Sequence, residues 1–420
     1  MTDLAQRIID TPRHKVFDLA IAELRDGRTQ RDLLGAVFLA GVQEIEPRPV
    51  GFALHAVMMT ASVQYLTGQV GTGSRLLGTF FNLDDFKNSQ ERDRRDGDWR
   101  LGPTRGAGYQ NADETLHAFT SAMENWDEEP ADRAVADLVD CMSRDELFEF
   151  LWIYGARDFR DIGHKMIFTS QVYRGLELVG WRRSEPALRS LVYGLLSGGP
   201  GRTNADFKPN RERARALRDG WASGKLDHNA SILFLKRLRS CSSQEASAEV
   251  VRLLQSGVAP DSVWDGLRLV ASEMVLREPS LLPVHAVTAL NAFHVAYMTT
   301  KVDVTRRILL LQAASWQPLF RDALAQRVGL SMDGPGIDRH PSPPALSVAA
   351  RRERSIAVFQ KAQETHQYKY MAAMLEEGDF AHPRWASQIH GAGNDYLPGP
   401  ETPDNDLYQR VVRELQKLHG

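Results

Sequence analysis

Histidines set in apolar runs are the residues of this chain with the clearest chemical potential, because a buried imidazole nitrogen needs a partner and is a good metal ligand. Residues 281–300, LLPVHAVTALNAFHVAYMTT, carry His285 and His294. Residues 50–67, VGFALHAVMMTASVQYLT, repeat the His-Ala-Val element, placing His55 opposite His285 and Gln64 opposite His294. His164 lies in a further amphipathic segment, GHKMIFTSQVYRGLELVGW, and His366 in THQYKYMAAMLE. Imidazole suits iron, zinc, copper and nickel, and helical cores are where facing helices bring such ligands together. None of His55, His164, His285 and His366 has the glutamate three residues earlier that a helical di-iron site requires, and HExxH is absent. A mononuclear, histidine-rich centre is the form that fits.

Helix geometry sorts the candidates. His285 and His294 are nine residues apart, a rotation of about 900° at ~100° per residue, so they point to nearly opposite faces and cannot share one ion. His285 is the expected ligand, and His294 is expected to face substrate, support the shell or fill the core. Lys369 follows His366 by three residues and shares its face; a neutral or carboxylated lysine can join a metal shell, an ammonium cannot. Asp161 precedes His164 by three residues and is placed to orient its ring. The bland alternative is that each histidine is a hydrogen-bonded core residue, and that Trp152, Tyr154, Phe168, Tyr173, Phe293, Tyr297, Trp316 and Tyr368 fill the core rather than wall an aromatic pocket.

The elements that must position these residues read as helices throughout. Apolar side chains recur at helical spacing over 29–44, and the pattern resumes at Glu114, Ala131, and over 143–196, where Ser184 is placed to cap a helix starting at Glu185-Pro186. Further helices are expected over 229–238, 244–255, 262–274, 304–327 and 345–377. The charged, glycine-containing stretch 84–113 reads as a surface excursion with the character of a lid. Period-two alternation never combines with hairpin turns, so the fold class is all-α: a large multi-helix bundle. The SGGPG turn at 197–201 reads as a seam between an N-terminal half, 1–200, and a C-terminal half, 201–420, packed as one unit. Each half has a His-Ala-Val helix followed by a helix with one histidine, a loose correspondence compatible with two pseudo-repeated halves around a central site.

Composition limits the alternatives. With 51 Lys+Arg against 54 Asp+Glu the net charge is −3, which gives no reason to expect nucleic acid or an anionic membrane as partner. The two cysteines stand apart, so no thiolate knuckle or disulfide framework is expected. No apolar run approaches the roughly 20 residues of a membrane span, and MTDLAQRIIDTPRHK is too polar for a secretory signal, so the expected setting is cytoplasmic. GQVGTGSRLLG lacks a phosphate loop's lysine, and no GxSxG elbow occurs.

The segments around His164, His285 and His366 together resemble the questin oxidase-like family: a Gly-His opening a helix, a His-x-x-Thr helix followed by an Arg-Leu-rich one (VDVTRRILL), and a late His-x-x-Lys. That resemblance implies oxidative tailoring of aromatic polyketides with dioxygen. It also implies a non-haem iron, Fe(II), held by His55, His164, His285 and His366, with Lys369 as a carboxylated lysine. His294 and Asp161 then become the candidate catalytic residues beside the metal. A metal-dependent hydrolase or lyase on the same histidines, and a non-catalytic helical binding protein, are the competing readings.

Overall fold

The computed structural model describes residues 3–417 apart from 52, 105, 107, 109, 110, 201–205, 341–343 and 345. Among these residues the chain forms 20 α-helices, and the one strand-like feature is an isolated bridge between Lys225 and Val258. The fold is all-α. No helix among the described residues is long and apolar enough to cross a membrane.

Local chemistry explains many of the helix starts. Thr29, Ser143 and Ser242 each form a reciprocal capping box, with Asp32, Glu146 and Glu245, an arrangement that stabilises a helix by about 1 kcal/mol. Among the helices that begin with neither a side-chain cap nor an acidic residue in the first turn are His55–Gln69, His164–Val179, Val284–Thr299 and Thr365–Phe380. Each carries one of the four histidines in its first two positions.

These four helices form a ring. The His55–Gln69 helix packs on His164–Val179, which packs on Val284–Thr299, which packs on Thr365–Phe380, which returns to the first. They run in the same direction, since Arg174 and Glu376, each ten residues beyond its helix's histidine, form an ion pair, and His294 meets Glu377 in the same way further along. Parallel neighbours cannot be joined by short turns, so the chain must travel back between them, and the intervening helices do this. The ring therefore draws two helices from residues 1–200 and two from 201–420. Residues 201–205, part of the expected seam, lie outside the described residues.

Three expectations are corrected. The stretch 84–113 is not a surface lid over its first part. The Leu77–Asp96 helix runs through it and buries Asp84, Lys87, Gln90 and Asp93. Their polarity hides this from sequence, because each polar group finds a partner: Lys87 Nζ donates to the carbonyls of Ile8 and Ile9 at 3.1 Å, and Asp93 accepts from the amides of Glu46 and Trp99. The helix expected over 345–377 is two, Val348–Lys361 and Thr365–Phe380, broken at 362–364; Ala345 itself lies outside the described residues. The break places His366 at a helix start. Ser184 does not cap the Glu185–Leu196 helix: its backbone is helical and its hydroxyl is buried without a partner.

Candidate metal centre

Because all four histidines stand at helix beginnings and the four beginnings meet, their rings gather at one place. Ring centroids are 4.4 Å apart for His55 and His366, 4.6 Å for His164 and His285, 4.9 Å for His285 and His366, and 6.2 Å for His55 and His164. The ligand-capable atoms of His55, His164 and His366 lie within 4.8 Å of one another.

The hydrogen bonds fix which nitrogen of each ring is free. His164 Nδ1 faces the carbonyl of Asp161 at 2.5 Å, and His285 Nδ1 faces the carbonyls of Leu281 and Leu282, both at 3.1 Å. A carbonyl oxygen only accepts, so in both rings Nδ1 carries the proton and Nε2 holds a lone pair. These two Nε2 atoms are 3.2 Å apart. In neutral rings that pairing sets lone pair against lone pair, with no proton between them. A shared cation resolves the conflict: two nitrogens about 2.1 Å from one metal and subtending about 100° lie about 3.2 Å apart. His366 adds a third free nitrogen, for its Nε2 is buried without any partner while its Nδ1 lies 3.5 Å from the Glu364 carboxylate.

His55 is bound differently. Its Nε2 donates to the Gly51 carbonyl at 2.5 Å, and its Nδ1 accepts from the Thr365 hydroxyl at 2.9 Å. To join a metal shell it would have to exchange that hydroxyl for the ion at Nδ1.

The turn before His164 is built to present its ring. Asp161, Ile162 and Gly163 have φ of 56°, 50° and 80°, three successive left-handed residues. For the two that are not glycine this conformation costs about 1–2 kcal/mol each. The turn brings the Asp161 carbonyl onto His164 Nδ1, so Asp161 orients the ring through its backbone rather than its carboxylate. On the other side, Gly51 at φ 97° lies so close that a Cβ there would sit 2.5 Å from the His164 ring.

Electrostatics hold the rings neutral. Burial, with the Lys369 charge as the next cause, pushes His164 down to about 3 and His55 well below its ordinary range. His285 is lowered by burial and then by the neighbouring His164 and His366, and His366 by burial and then by Lys369. The partial positive charge of four uncapped helix starts acts in the same direction. Neutral imidazole is the form in which histidine can ligate a metal. Lys369, one turn beyond His366, is buried, and burial lowers it to about 8 against the opposing pull of Asp85 and Glu364. At that value part of the amine is uncharged near neutrality, the form that can bind a metal or be carboxylated.

The remaining candidates lie elsewhere. His294 does not join the ring. It belongs to a buried network in which Arg268 donates to Glu377 at 2.8 Å and to His294 Nε2 at 3.1 Å, and Asn291 donates to Glu377 at 2.9 Å. Here His294 supports helix packing. The aromatic residues mostly pack on one another: Trp152 on Phe148 and Tyr173, Phe293 on Trp316, Tyr368 on Phe81 and Phe359. Gly51, Thr365, Glu364 and Asp85 are site residues that sequence reasoning missed. Thr365 and Glu364 had a signal in their nearness to His366, and Gly51 in its place four residues before His55. Comparison with known family models, with curated proteins and with solved structures finds no match to this chain.

Proposed function

We propose that this chain is a non-haem iron oxygenase that oxidises an aromatic or polyketide-derived small molecule. The observation that supports it most is the pair of Nε2 lone pairs of His164 and His285 held 3.2 Å apart, with the unpartnered Nε2 of His366 beside them. Such an arrangement in a dry interior is costly unless a cation completes it, since a buried polar atom without a partner costs about 1–3 kcal/mol. The residues therefore fit the metal: His164, His285 and His366 would hold it, with His55 and Lys369 as further ligands.

Iron(II), when bound, would supply the redox chemistry that lets dioxygen react with an aromatic ring. The chain's own residues do the rest. The carbonyls of Asp161, Leu281 and Leu282 fix the tautomers of His164 and His285, so that neither ring competes for a proton. The Glu364 carboxylate, 3.5 Å from His366 Nδ1, is placed to orient that ring. Burial excludes bulk water, which protects reactive intermediates from side reactions. The likeness of the His164, His285 and His366 segments to the questin oxidase-like family supports iron over other metals and an aromatic substrate over other classes.

The test is oxygen uptake by iron-loaded protein in the presence of hydroxylated anthraquinones, followed with an oxygen electrode and by product mass. Uptake that depends on both iron and the aromatic compound, and that is lost in a folded His285→Ala variant, is the expected result. Stoichiometric zinc with no oxygen uptake would instead favour the hydrolase or lyase reading.

A further inference from the structure

A cleft of about 450 Å³, lined by none of the clustered histidines, opens between the Val348–Lys361 helix and the loop at 394–400. That volume falls in the range of roughly 300–1,000 Å³ typical of small-molecule sites. Ala357 and Val358 of the helix face Leu397, Pro398 and Pro400 of the loop across it, and Arg354 stands among these apolar walls. The loop is held in place. Lys361 Nζ donates to the carbonyls of Pro400 and Thr402 at 2.6 and 2.7 Å, Gln367 Nε2 to the carbonyl of Tyr396 at 3.0 Å, and the Tyr396 hydroxyl to Glu364 at 2.8 Å. A ligand therefore meets walls already set, which lowers the ordering cost of binding it. Arg354 is partly buried, and its Nη1 donates to the His390 carbonyl at 3.2 Å. That bond holds the guanidinium and leaves its Nε and Nη2 edge without a hydrogen-bond partner among the described residues. Glu353, which also lines the cleft, is exposed and forms no ion pair with Arg354. Arg351, one turn earlier on the same helix, is by contrast paired with Asp379.

We propose that this cleft binds a small apolar monocarboxylate, an aromatic or short-chain acid, with its carboxylate on the Nε and Nη2 edge of Arg354 and its hydrocarbon part against Val358, Leu397 and Pro398. A guanidinium edge is a planar pair of donors that matches the two oxygens of a carboxylate, and such charge-assisted bidentate bonds are the strong ones. No second basic side chain lines the cleft, so a single negative charge fits it better than a dicarboxylate or a phosphate dianion. Apolar walls around one unpaired cation also disfavour a cationic ligand. The inference does not rest on the proposed metal centre.

The experiment is isothermal titration of the full chain with 2-naphthoate and with the neutral 2-naphthalenemethanol, in the presence of a chelator so that no carboxylate binds through a metal. Wild type is expected to bind 2-naphthoate saturably at one site and the alcohol at least about 10-fold more weakly. Arg354→Gln should weaken 2-naphthoate by about 10–100-fold, the range for losing a hydrogen bond to a charged group, and leave the alcohol unchanged. Arg352→Gln removes the same charge from an exposed position two residues away and should change neither. Should Arg354→Gln not fold, Ala357→Phe keeps the charge but fills the cleft, and is expected to abolish binding of both compounds. Absence of saturable 2-naphthoate binding in wild type, or equal affinity in wild type and the folded Arg354→Gln or Ala357→Phe variant, overturns the inference. An equal loss in Arg352→Gln and Arg354→Gln assigns the attraction to general surface charge and overturns it too.

Discussion

Lowering the pH should destabilise the metal-free protein in a window set by its histidines. His164 has its pKa pushed from about 6.5 down to about 3, by burial first and the Lys369 charge second. As pH falls below about 6.5, the unfolded chain takes up a proton that the folded chain refuses, so unfolding is favoured. The stability tied to His164 is therefore complete above about pH 6.5 and is lost progressively as pH falls toward about 3. Each unit within that window is worth about 1.4 kcal/mol, so moving from pH 6.5 to pH 5 costs about 2 kcal/mol from His164 alone. His55, His285 and His366 are shifted in the same direction and add to the slope. The assay is urea unfolding of metal-free protein at pH 7.5, 6.5 and 5, in wild type and in His164→Gln. The variant should lose at least about 1 kcal/mol less than wild type over the acid step, because an uncharged amide has no proton to exclude. Equal acid slopes in the two proteins would refute the claim that His164 is held neutral by its site.

Three further outcomes follow from the geometry. Gly51→Ala should lower metal affinity by about 10-fold or more with the helical content retained, since its Cβ would collide with the His164 ring; unchanged affinity, by chelator competition, would count against the ring's position. Lys369→Ala should reduce metal occupancy, measured by elemental analysis, far more than Lys361→Ala, whose amine donates to the carbonyls of Pro400 and Thr402 away from the histidines. Glu377→Gln should destabilise the fold by about 1–3 kcal/mol, because Arg268 loses a buried charge partner at 2.8 Å and keeps only Asp265 at 3.3 Å, while leaving the metal content unchanged; a chemical melt and elemental analysis on the same sample separate the two effects.

Helical periodicity made the all-α class and most helix positions legible, and the opposite facing of His285 and His294 followed from rotation alone. Periodicity carried that far because those helices bury apolar stripes. It failed over Leu77–Asp96, where the buried face is Lys87, Gln90 and Asp93, residues whose burial depends on partners remote in sequence such as Ile8 and Glu46. It also failed at residues 362–364, where the chain breaks the helix without a proline or glycine to announce it. The four-histidine set could be named from sequence, but not the reason it converges. That reason is that each histidine stands in the first two positions of its helix and the four helices pack in a ring, a property visible only once the helix boundaries are fixed. The tautomer of His164 depends on the Asp161 carbonyl, whose direction is set by the left-handed turn at 161–163, and two of those three residues are not glycine.

X-ray absorption spectroscopy of protein expressed with supplemental iron reads out whether three or four imidazoles converge on one metal ion. The expected result is about one iron per chain, coordinated by at least three imidazole nitrogens at about 2.1 Å. Protein that folds yet retains no metal, or iron whose shell contains fewer than two imidazoles, would contradict it.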